Sequence, residues 1–246
     1  MNYTILLQGR IEKRALDFWA NNFANENICI SIWEDDIEYY FPKNWTIVKN
    51  KKPIERLGLK EKNLDLQLIS TIEGLKCVET KYVIKMRCDE YYSNIQKIID
   101  KLLINDEKIV CGSIFFRPIG KYSRFHISDH IIAGKLENIK IMFQKTFENI
   151  KNNFIPGRIP ESQLGLAYLC EKESDLKNKI GVINHFDFDN LNLNIIDEKE
   201  LLKKYFEIID INLLKPYLAT FTYNGEIGRK WYESNFDNEN CITSFE

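Results

Sequence analysis

The chain has 246 residues, 44% of them hydrophobic, which fits one domain with a sizeable core. Its formal net charge of -2 argues against a general attraction to nucleic acid. No apolar run approaches the length of a membrane span. The six cysteines are scattered without zinc-site or disulfide spacing, so we expect reduced thiols in a cytoplasmic protein.

The first half of the chain alternates between strand and helix patterns. Short apolar runs predict strands, and apolar residues at helical spacing predict helices. We expect strands at 3–7, 28–33, 45–48, 82–90 and 109–116, and helices at 14–23, 63–75 and 93–103. This alternation favours an α/β fold with a mainly parallel, Rossmann-like sheet that helices cover on both sides.

The second half is less regular. We expect a short strand at 124–131, a turn at 133–135, helices at 136–150, 161–169 and 198–209, and an added strand at 180–183. From residue 216 onward the tail is rich in aromatic residues. Because no internal repeat, low-complexity tract or linker interrupts the pattern, we predict a single domain over residues 1–246 with an elaborated C-terminal half.

The segment 82–90 has two unlike faces. Successive side chains of a strand point to opposite sides, and one side suits a core, with Tyr82, Ile84, Met86 and Cys88. The other side carries Lys85, Arg87 and Asp89, and Glu90 follows. An edge strand with a solvated face is one explanation. The other is a central strand whose final acids hold a metal-bound phosphate, with Lys85 and Arg87 balancing charge.

Polar residues also follow the first two predicted strands. Gln8, Gly9 and Arg10 come directly after the first strand, where a glycine permits close backbone approach to a ligand. Residues 34–36 are acidic and follow the second strand, where doubly wound folds often contact the sugar of a nucleotide. A tight turn and a plain acidic loop are the structural alternatives for these two segments.

Several common catalytic motifs are absent from the sequence. There is no Gly-x-Gly-x-x-Gly after the first strand, no Gly-Lys-Ser/Thr phosphate loop and no Gly-x-Ser-x-Gly elbow. His126 and His130 are four residues apart, but the predicted strand and turn there give them no helical metal-binding geometry. The sequence pattern therefore argues against a dinucleotide dehydrogenase, a P-loop enzyme and an α/β-hydrolase.

The segment 82–90, YVIKMRCDE, resembles the KxRxD segment of WavE-type lipopolysaccharide synthesis proteins, which are regarded as glycosyltransferases of the GT-A type. Similar segments occur at 5–11, 63–75, 128–135 and 160–164. The resemblance covers roughly residues 3–185. It implies a GT-A-like fold with a nucleotide-sugar-binding half at 1–116 and an acceptor half with a C-terminal tail at 117–246.

The resemblance also implies a reaction. The expected donor is a nucleotide sugar, with a UDP-sugar favoured, and the expected acceptor is a saccharide or a lipid-linked saccharide. The product would enter lipopolysaccharide or capsule synthesis, made by a cytoplasmic enzyme or one peripheral at the inner face of the membrane. Transfer is expected to invert the configuration at the anomeric carbon of the donor sugar.

A divalent cation, Mn²⁺ or Mg²⁺, is the cofactor that the resemblance implies. GT-A enzymes use an Asp-x-Asp motif for the metal and the donor diphosphate, and here Arg87 replaces its first acid while Asp89 keeps the second. The implied metal ligands are Asp89, Glu90 and His185. Either Asp89 is the main acid ligand, or Arg87 and Lys85 do part of the electrostatic work of the metal. We expect a metal that is weakly held.

The remaining site residues follow from the same resemblance. The implied nucleotide-sugar-binding residues are Gln8, Gly9, Arg10, Asp35, Gln67, Lys85, Arg87 and Asp89. Inverting transfer needs a general base, and Glu161 at a predicted helix start is the first candidate. Asp129 is the second, with donor-sugar or acceptor binding as its other role. A cap-type carboxylate and a turn aspartate are the structural alternatives.

Two other functions remain open at the level of sequence. A nucleotidyltransferase shares the α/β sheet and the need for a metal, although Gln8-Gly9-Arg10 is a poor substitute for its glycine-rich phosphate loop. A non-catalytic saccharide-binding protein derived from a transferase would account for the missing first acid.

Overall fold

A seven-stranded sheet forms the centre of the protein in a computed structural model that describes residues 2–36, 39–57, 63–114, 116, 124–152, 160–180, 195–218 and 243–245. The strands are β1 (Tyr3–Gln8), β2 (Ile28–Trp33), β3 (Thr46–Asn50), β4 (Tyr82–Arg87), β5 (Glu90–Tyr92), β6 (Ile109–Gly112), β7 (Ile132–Lys135), β8 (Phe206–Ile209) and β9 (Pro216–Leu218). Strands β5 and β9 form a separate two-stranded sheet.

The strand order in the large sheet is β3-β2-β1-β4-β7-β6-β8. Strand β7 runs antiparallel to both of its neighbours, whereas the other strand pairs of this sheet are parallel. The order reverses between β1 and β4, as at the switch point of a doubly wound fold. The predicted α/β fold with a mainly parallel, Rossmann-like sheet is confirmed.

Helices pack on both faces of the sheet. They are α1 (Lys13–Asn22), α2 (Leu64–Lys76), α3 (Gln96–Ile104), α4 (Leu136–Lys151), α5 (Pro160–Lys172), α6 (Ser174–Ile180) and α7 (Ile195–Tyr205). One core lies under α2, α4 and α5, and the other lies under α1 and α3. In β1, Leu6 faces the first core while Ile5 and Leu7 face the second, which explains why this strand is apolar on both sides.

Strand β4 is central, so the edge-strand explanation of its charged face is wrong. It pairs with β1 on one side and β7 on the other. Its face toward α2 and α4 carries Val83 and the fully buried Lys85. The ammonium group of Lys85 donates a hydrogen bond of 2.6 Å to the carbonyl oxygen of Asp129. Lys85 is therefore held inside the protein by a partner from the second half of the chain.

The predictions for the second half need correction. Residues 124–131 are not a strand, and β7 occupies Ile132–Lys135, where we expected a turn. Phe125 has a positive φ of 55°, which breaks any extended run, and its N–H donates to Glu198 at 2.6 Å. The residues predicted as an added strand at 180–183 begin with the last residue of α6, and the rest of that range lies outside the described residues.

The helix predicted at 198–209 is also corrected. Helix α7 ends at Tyr205, and residues 206–209 form β8, which pairs in parallel with β6. A short apolar run next to an amphipathic helix is compatible with either structure, so periodicity alone could not separate them. Strand β5 was missed because three residues are too short to show a pattern.

Gly165 fixes how closely α5 approaches the segment that leads to Asp129. A Cβ atom at this position would lie 2.2 Å from the carbonyl oxygen of Phe125 and 3.3 Å from Ile127 Cγ2. We expect Gly165→Ala to lower the free energy of unfolding by about 1–3 kcal/mol, because backbone cannot give way as a side chain can. This loss would exceed the gain of about 1 kcal/mol that alanine brings to a helix. Urea denaturation measures the difference.

Gly134→Ala is the control for this substitution. A Cβ there would meet side-chain atom Ile139 Cδ1 at 3.4 Å, an ordinary contact, so its cost should be clearly smaller. If Gly165→Ala left the unfolding midpoint unchanged, the close approach of α5 to Phe125 would be refuted.

Candidate functional site

A cleft of about 810 Å³ opens where β1, β2 and β4 end. Ligands of open α/β sheets bind in such a crevice, outside the carboxyl ends of the strands and at the switch point. The strand ends contribute the lining residues Gln8, Gly9, Arg10, Trp33, Asp35, Asp36, Arg87 and Asp89. Helix α2, the segment before β7 and the start of α5 contribute Asn63, Leu66, Gln67, Ser70, Asp129, His130, Pro160 and Glu161.

The turn after β1 forms part of the cleft edge. Gly9 has a φ of 99°, a conformation that other residues rarely adopt, and its N–H donates to the carbonyl oxygen of Ser31 at 3.0 Å. The carbonyl oxygen of Gln8 accepts from the N–H of Cys88 at 2.9 Å. These bonds tie the ends of the three strands together, so the cleft floor is built from backbone that is held in place.

Arg87 and Asp89 form a two-pronged ion pair in the cleft. Arg87 Nε lies 2.9 Å from Asp89 Oδ1, and Nη2 lies 2.8 Å from Oδ2. Arg87 Nε also lies 3.2 Å from Glu90 Oε1. Burial alone would lower the pKa of Arg87, but the charges of Glu90 and Asp89 raise it above its ordinary value. The guanidinium therefore stays charged at every physiological pH.

Glu90 is fully buried and lies beneath the cleft. Its Oε1 accepts from His130 Nδ1 at 2.6 Å, and its Oε2 accepts from the Tyr92 hydroxyl at 2.6 Å. Burial alone would lower the pKa of His130, but the charge and hydrogen bond of Glu90 raise it. The histidine is thus biased toward its cationic form while it lines the cleft.

Asp129 is held by groups from both sides of the cleft. Its Oδ2 accepts from Gln67 Nε2 at 2.7 Å, and its backbone carbonyl accepts from Lys85. Burial alone would raise the pKa of Asp129, but the charges of His130, Lys85 and Arg87 lower it to about 2. Burial lowers the pKa of Lys85 to about 8. Asp129 is therefore an anion at neutral pH and a weak base.

The rim of the cleft carries a second, more exposed ion pair. Lys52 Nζ lies 2.5 Å from Asp35 Oδ2, and both side chains are about half exposed or more. Below it, Arg56 makes two bonds of 2.6 Å to the fully buried Asp65 and so anchors the segment after β3 on α2. Sequence reasoning did not identify this anchor, because Arg56 and Asp65 are nine residues apart with no motif between them.

The predicted site residues mostly come together. Those that line the cleft are Gln8, Gly9, Arg10, Asp35, Gln67, Arg87, Asp89, Asp129 and Glu161. Lys85 and Glu90 lie beneath it, and His185 is outside the described residues. Sequence reasoning missed His130, which was weighed only as half of a helical metal pair. Its position next to Asp129, a candidate site residue, was the available signal.

The acids at the end of β4 do not fit a divalent cation in this arrangement. Among the described residues, no group of three or more His, Cys, Asp or Glu side chains is positioned to hold a metal ion. Both oxygens of Asp89 face Arg87, and both oxygens of Glu90 accept hydrogen bonds from His130 and Tyr92. Mg²⁺ and Mn²⁺ take carboxylate oxygens and water as ligands. The predicted cation stays a prediction that these two acids do not support.

The fold and the cleft define an α/β protein with a polar cleft at the switch point of its sheet. Residues 10–168, more than half of the chain, match the family model described as WavE lipopolysaccharide synthesis. The chain belongs to this family, as the sequence resemblance predicted, and the family indicates a role in lipopolysaccharide synthesis. No curated protein matches the chain. In the part that the structure describes, no helix is long and apolar enough to cross a membrane.

Asp129 should make the stability of the protein depend on pH. Its pKa of about 2 in the folded state lies below the value of about 3.9 expected in the unfolded chain. The ionised carboxylate therefore stabilises the fold above about pH 5, by about 2 kcal/mol, and this stabilisation is lost as the pH falls toward 2. We expect Asp129→Asn to be less stable than the parent at pH 7 and to differ less from it at pH 3.

Urea denaturation at pH 7, 5 and 3 measures this convergence. Asp17→Asn is the control, because Asp17 forms an exposed pair with Lys13 that contributes little. Its unfolding curve should follow that of the parent at each pH. A difference for Asp129→Asn that stays constant from pH 7 to pH 3 would contradict a lowered pKa.

Proposed function

We propose that the protein is a glycosyltransferase that moves a sugar from a nucleotide sugar to a saccharide acceptor in lipopolysaccharide synthesis. Membership of the WavE family supports the biosynthetic role. The observation that carries the proposed activity is the cleft at the β1–β4 switch point, which is large enough for a nucleotide sugar and lined by carboxylate, amide and guanidinium groups.

The donor is proposed to lie along the strand ends. Asp35 follows β2, a position from which a carboxylate accepts hydrogen bonds from ribose hydroxyls. Gly9 leaves room for the nucleoside, since nothing lies within 4 Å of where its Cβ would be. Arg10 and Arg87 supply positive charge for the two phosphates. Gln67 and Asp129, joined by their hydrogen bond, supply a donor and an acceptor for hydroxyls of the transferred sugar.

Glu161 is the proposed general base. It lies in the first turn of α5 and lines the cleft. In the proposed step Glu161 takes the proton of an acceptor hydroxyl, and the acceptor oxygen bonds to the anomeric carbon. The bond between that carbon and the phosphate oxygen breaks, and the nucleoside diphosphate leaves with the electron pair. Asp129 suits this role less well, because its low pKa makes it a weak base.

Binding of a nucleoside diphosphate tests the donor site. We expect UDP or a UDP-sugar to raise the melting temperature, because a ligand at 100 times its Kd stabilises the folded state by about 2.7 kcal/mol. Arg10→Gln should reduce this shift, since Arg10 lines the cleft. Arg14→Gln should not, because Arg14 stacks on Tyr217 instead. Differential scanning fluorimetry with UDP, GDP and ADP measures the shifts, and no shift with any nucleotide would refute the proposal.

Turnover tests the proposed base. We expect Glu161→Gln to lower kcat by about 10²–10⁴-fold, the contribution of general base catalysis, with little change in donor affinity. Glu171→Gln is the matched control, because Glu171 lies at the other end of the same helix in ion pairs with Lys145 and Lys177. Release of UDP from a UDP-sugar, with and without saccharide acceptor, measures both variants. Parent-like turnover in Glu161→Gln would remove Glu161 from this role.

A further inference from the structure

We infer that Asp89 and Glu90 are positioning residues, which hold Arg87 and His130 as the groups that meet the donor diphosphate, and are not ligands of a divalent cation. This inference rests on the proposed function, because it concerns how the same cleft neutralises the phosphates. It assigns a role to His130 that the sequence did not suggest. It also explains what Arg87 does at the position where the family motif has an acid: the guanidinium pairs with Asp89 and lines the cleft.

The first step is the engagement of both carboxylates. Asp89 faces the guanidinium of Arg87 through both oxygens, at 2.9 and 2.8 Å. Glu90 is 0% exposed and accepts from His130 and Tyr92 at 2.6 Å each. A hydrated cation would have to compete with Arg87 and His130 for these oxygens. Displacing either group would leave a largely buried polar side chain without its partner, which is strongly unfavourable.

The second step is the position of Arg87 and His130 relative to the cleft. Arg87 and His130 line the cleft, whereas Glu90 lies behind them. Arg87 ends β4 and His130 comes just before β7, the neighbour of β4, so both lie on the β4 side of the point where the strand order reverses. Phosphates of bound ligands lie at this point in doubly wound folds. A guanidinium also matches phosphate oxygens with paired N–H groups, which suits it to contact a diphosphate.

The third step is the charge balance of the cleft. Five acids line it: Asp35 bonds to Lys52 at 2.5 Å, Asp36 to the N–H of Trp33 at 3.1 Å, Asp89 to Arg87, and Asp129 to Gln67 at 2.7 Å. The fifth is Glu161, the proposed base. The acids thus weaken the attraction for a diphosphate but fix the hydrogen-bond donors that contact it. Because fixed donors need no reorganisation when the phosphates arrive, a chelator should leave nucleotide binding intact.

The first experiment compares nucleotide binding by the full chain in EDTA and in Mn²⁺. We expect UDP to raise the melting temperature by the same amount in both buffers. A shift that needs Mn²⁺ and disappears in Asp89→Asn would overturn this inference while the proposed function stands. No shift with UDP, GDP or ADP in either buffer would overturn the proposed function, and this inference with it.

The second experiment is a double-mutant cycle on Arg87 and Asp89, with the Kd for UDP measured by calorimetry in EDTA. We expect Arg87→Gln to raise Kd about tenfold or more and Asp89→Asn to raise it less. The double variant should bind no worse than Arg87→Gln, because Asp89 acts only through Arg87. A further loss in the double variant would show that Asp89 contacts the nucleotide site independently and would overturn the inference.

If the Arg87 variants fail to fold, separate variants of two histidines still test the inference. His126 and His130 are both buried in the same segment, but only His130 lines the cleft. We expect His130→Gln to raise the Kd for UDP severalfold and His126→Gln to leave it unchanged, with circular dichroism confirming that both variants fold. Equal Kd values for both variants and the parent would remove His130 from the diphosphate site and overturn the inference.

Discussion

The burial of Lys85 in the central strand is the constraint on which the arrangement of the site depends. A charged group in the middle of a sheet costs free energy unless it is paired and hydrogen-bonded. Lys85 meets this requirement by donating to the carbonyl of Asp129, 44 residues further along the chain. That bond requires the segment before β7 to lie across the end of β4. Asp129 and His130 reach the cleft because a buried lysine holds their backbone there.

The direction of β7 follows from the same constraint. It is antiparallel to β4, with Lys85 opposite Ile132, so the residues just before β7 lie beyond Lys85 at the edge where β4 ends. A parallel β7 would begin at the opposite edge and would carry Asp129 and His130 away from Arg87 and Glu90. The strand therefore brings residues from the second half of the chain to the switch point defined by β1 and β4 in the first half.

The sequence predicts the fold better than it predicts the contacts inside the site. Strands β1 and β2 were recognisable because each is a sustained apolar run, and β4 because apolar residues occupy every second position. Gly9 and Arg10 followed from their place after β1. Strand β7 was not, because its four residues include a glycine and look like a turn. The strand at 82–90 was drawn too long: β4 ends at Arg87, a turn follows, and Glu90 begins β5 facing inward. The pairing of Glu90 with His130 spans 40 residues and left no local pattern to detect.

An acid and an arginine two residues apart at a strand end differ in chemistry from two acids at the same spacing. Two carboxylates there repel each other unless a cation lies between them, so they favour metal binding. With Arg87 in the first position, the guanidinium already occupies the place of that cation for Asp89. Glu90 is held in a similar way by His130. Both acids at the end of β4 therefore have partners within the protein. Arg87 thus gives Asp89 a partner inside the protein, while the guanidinium group still lines the cleft.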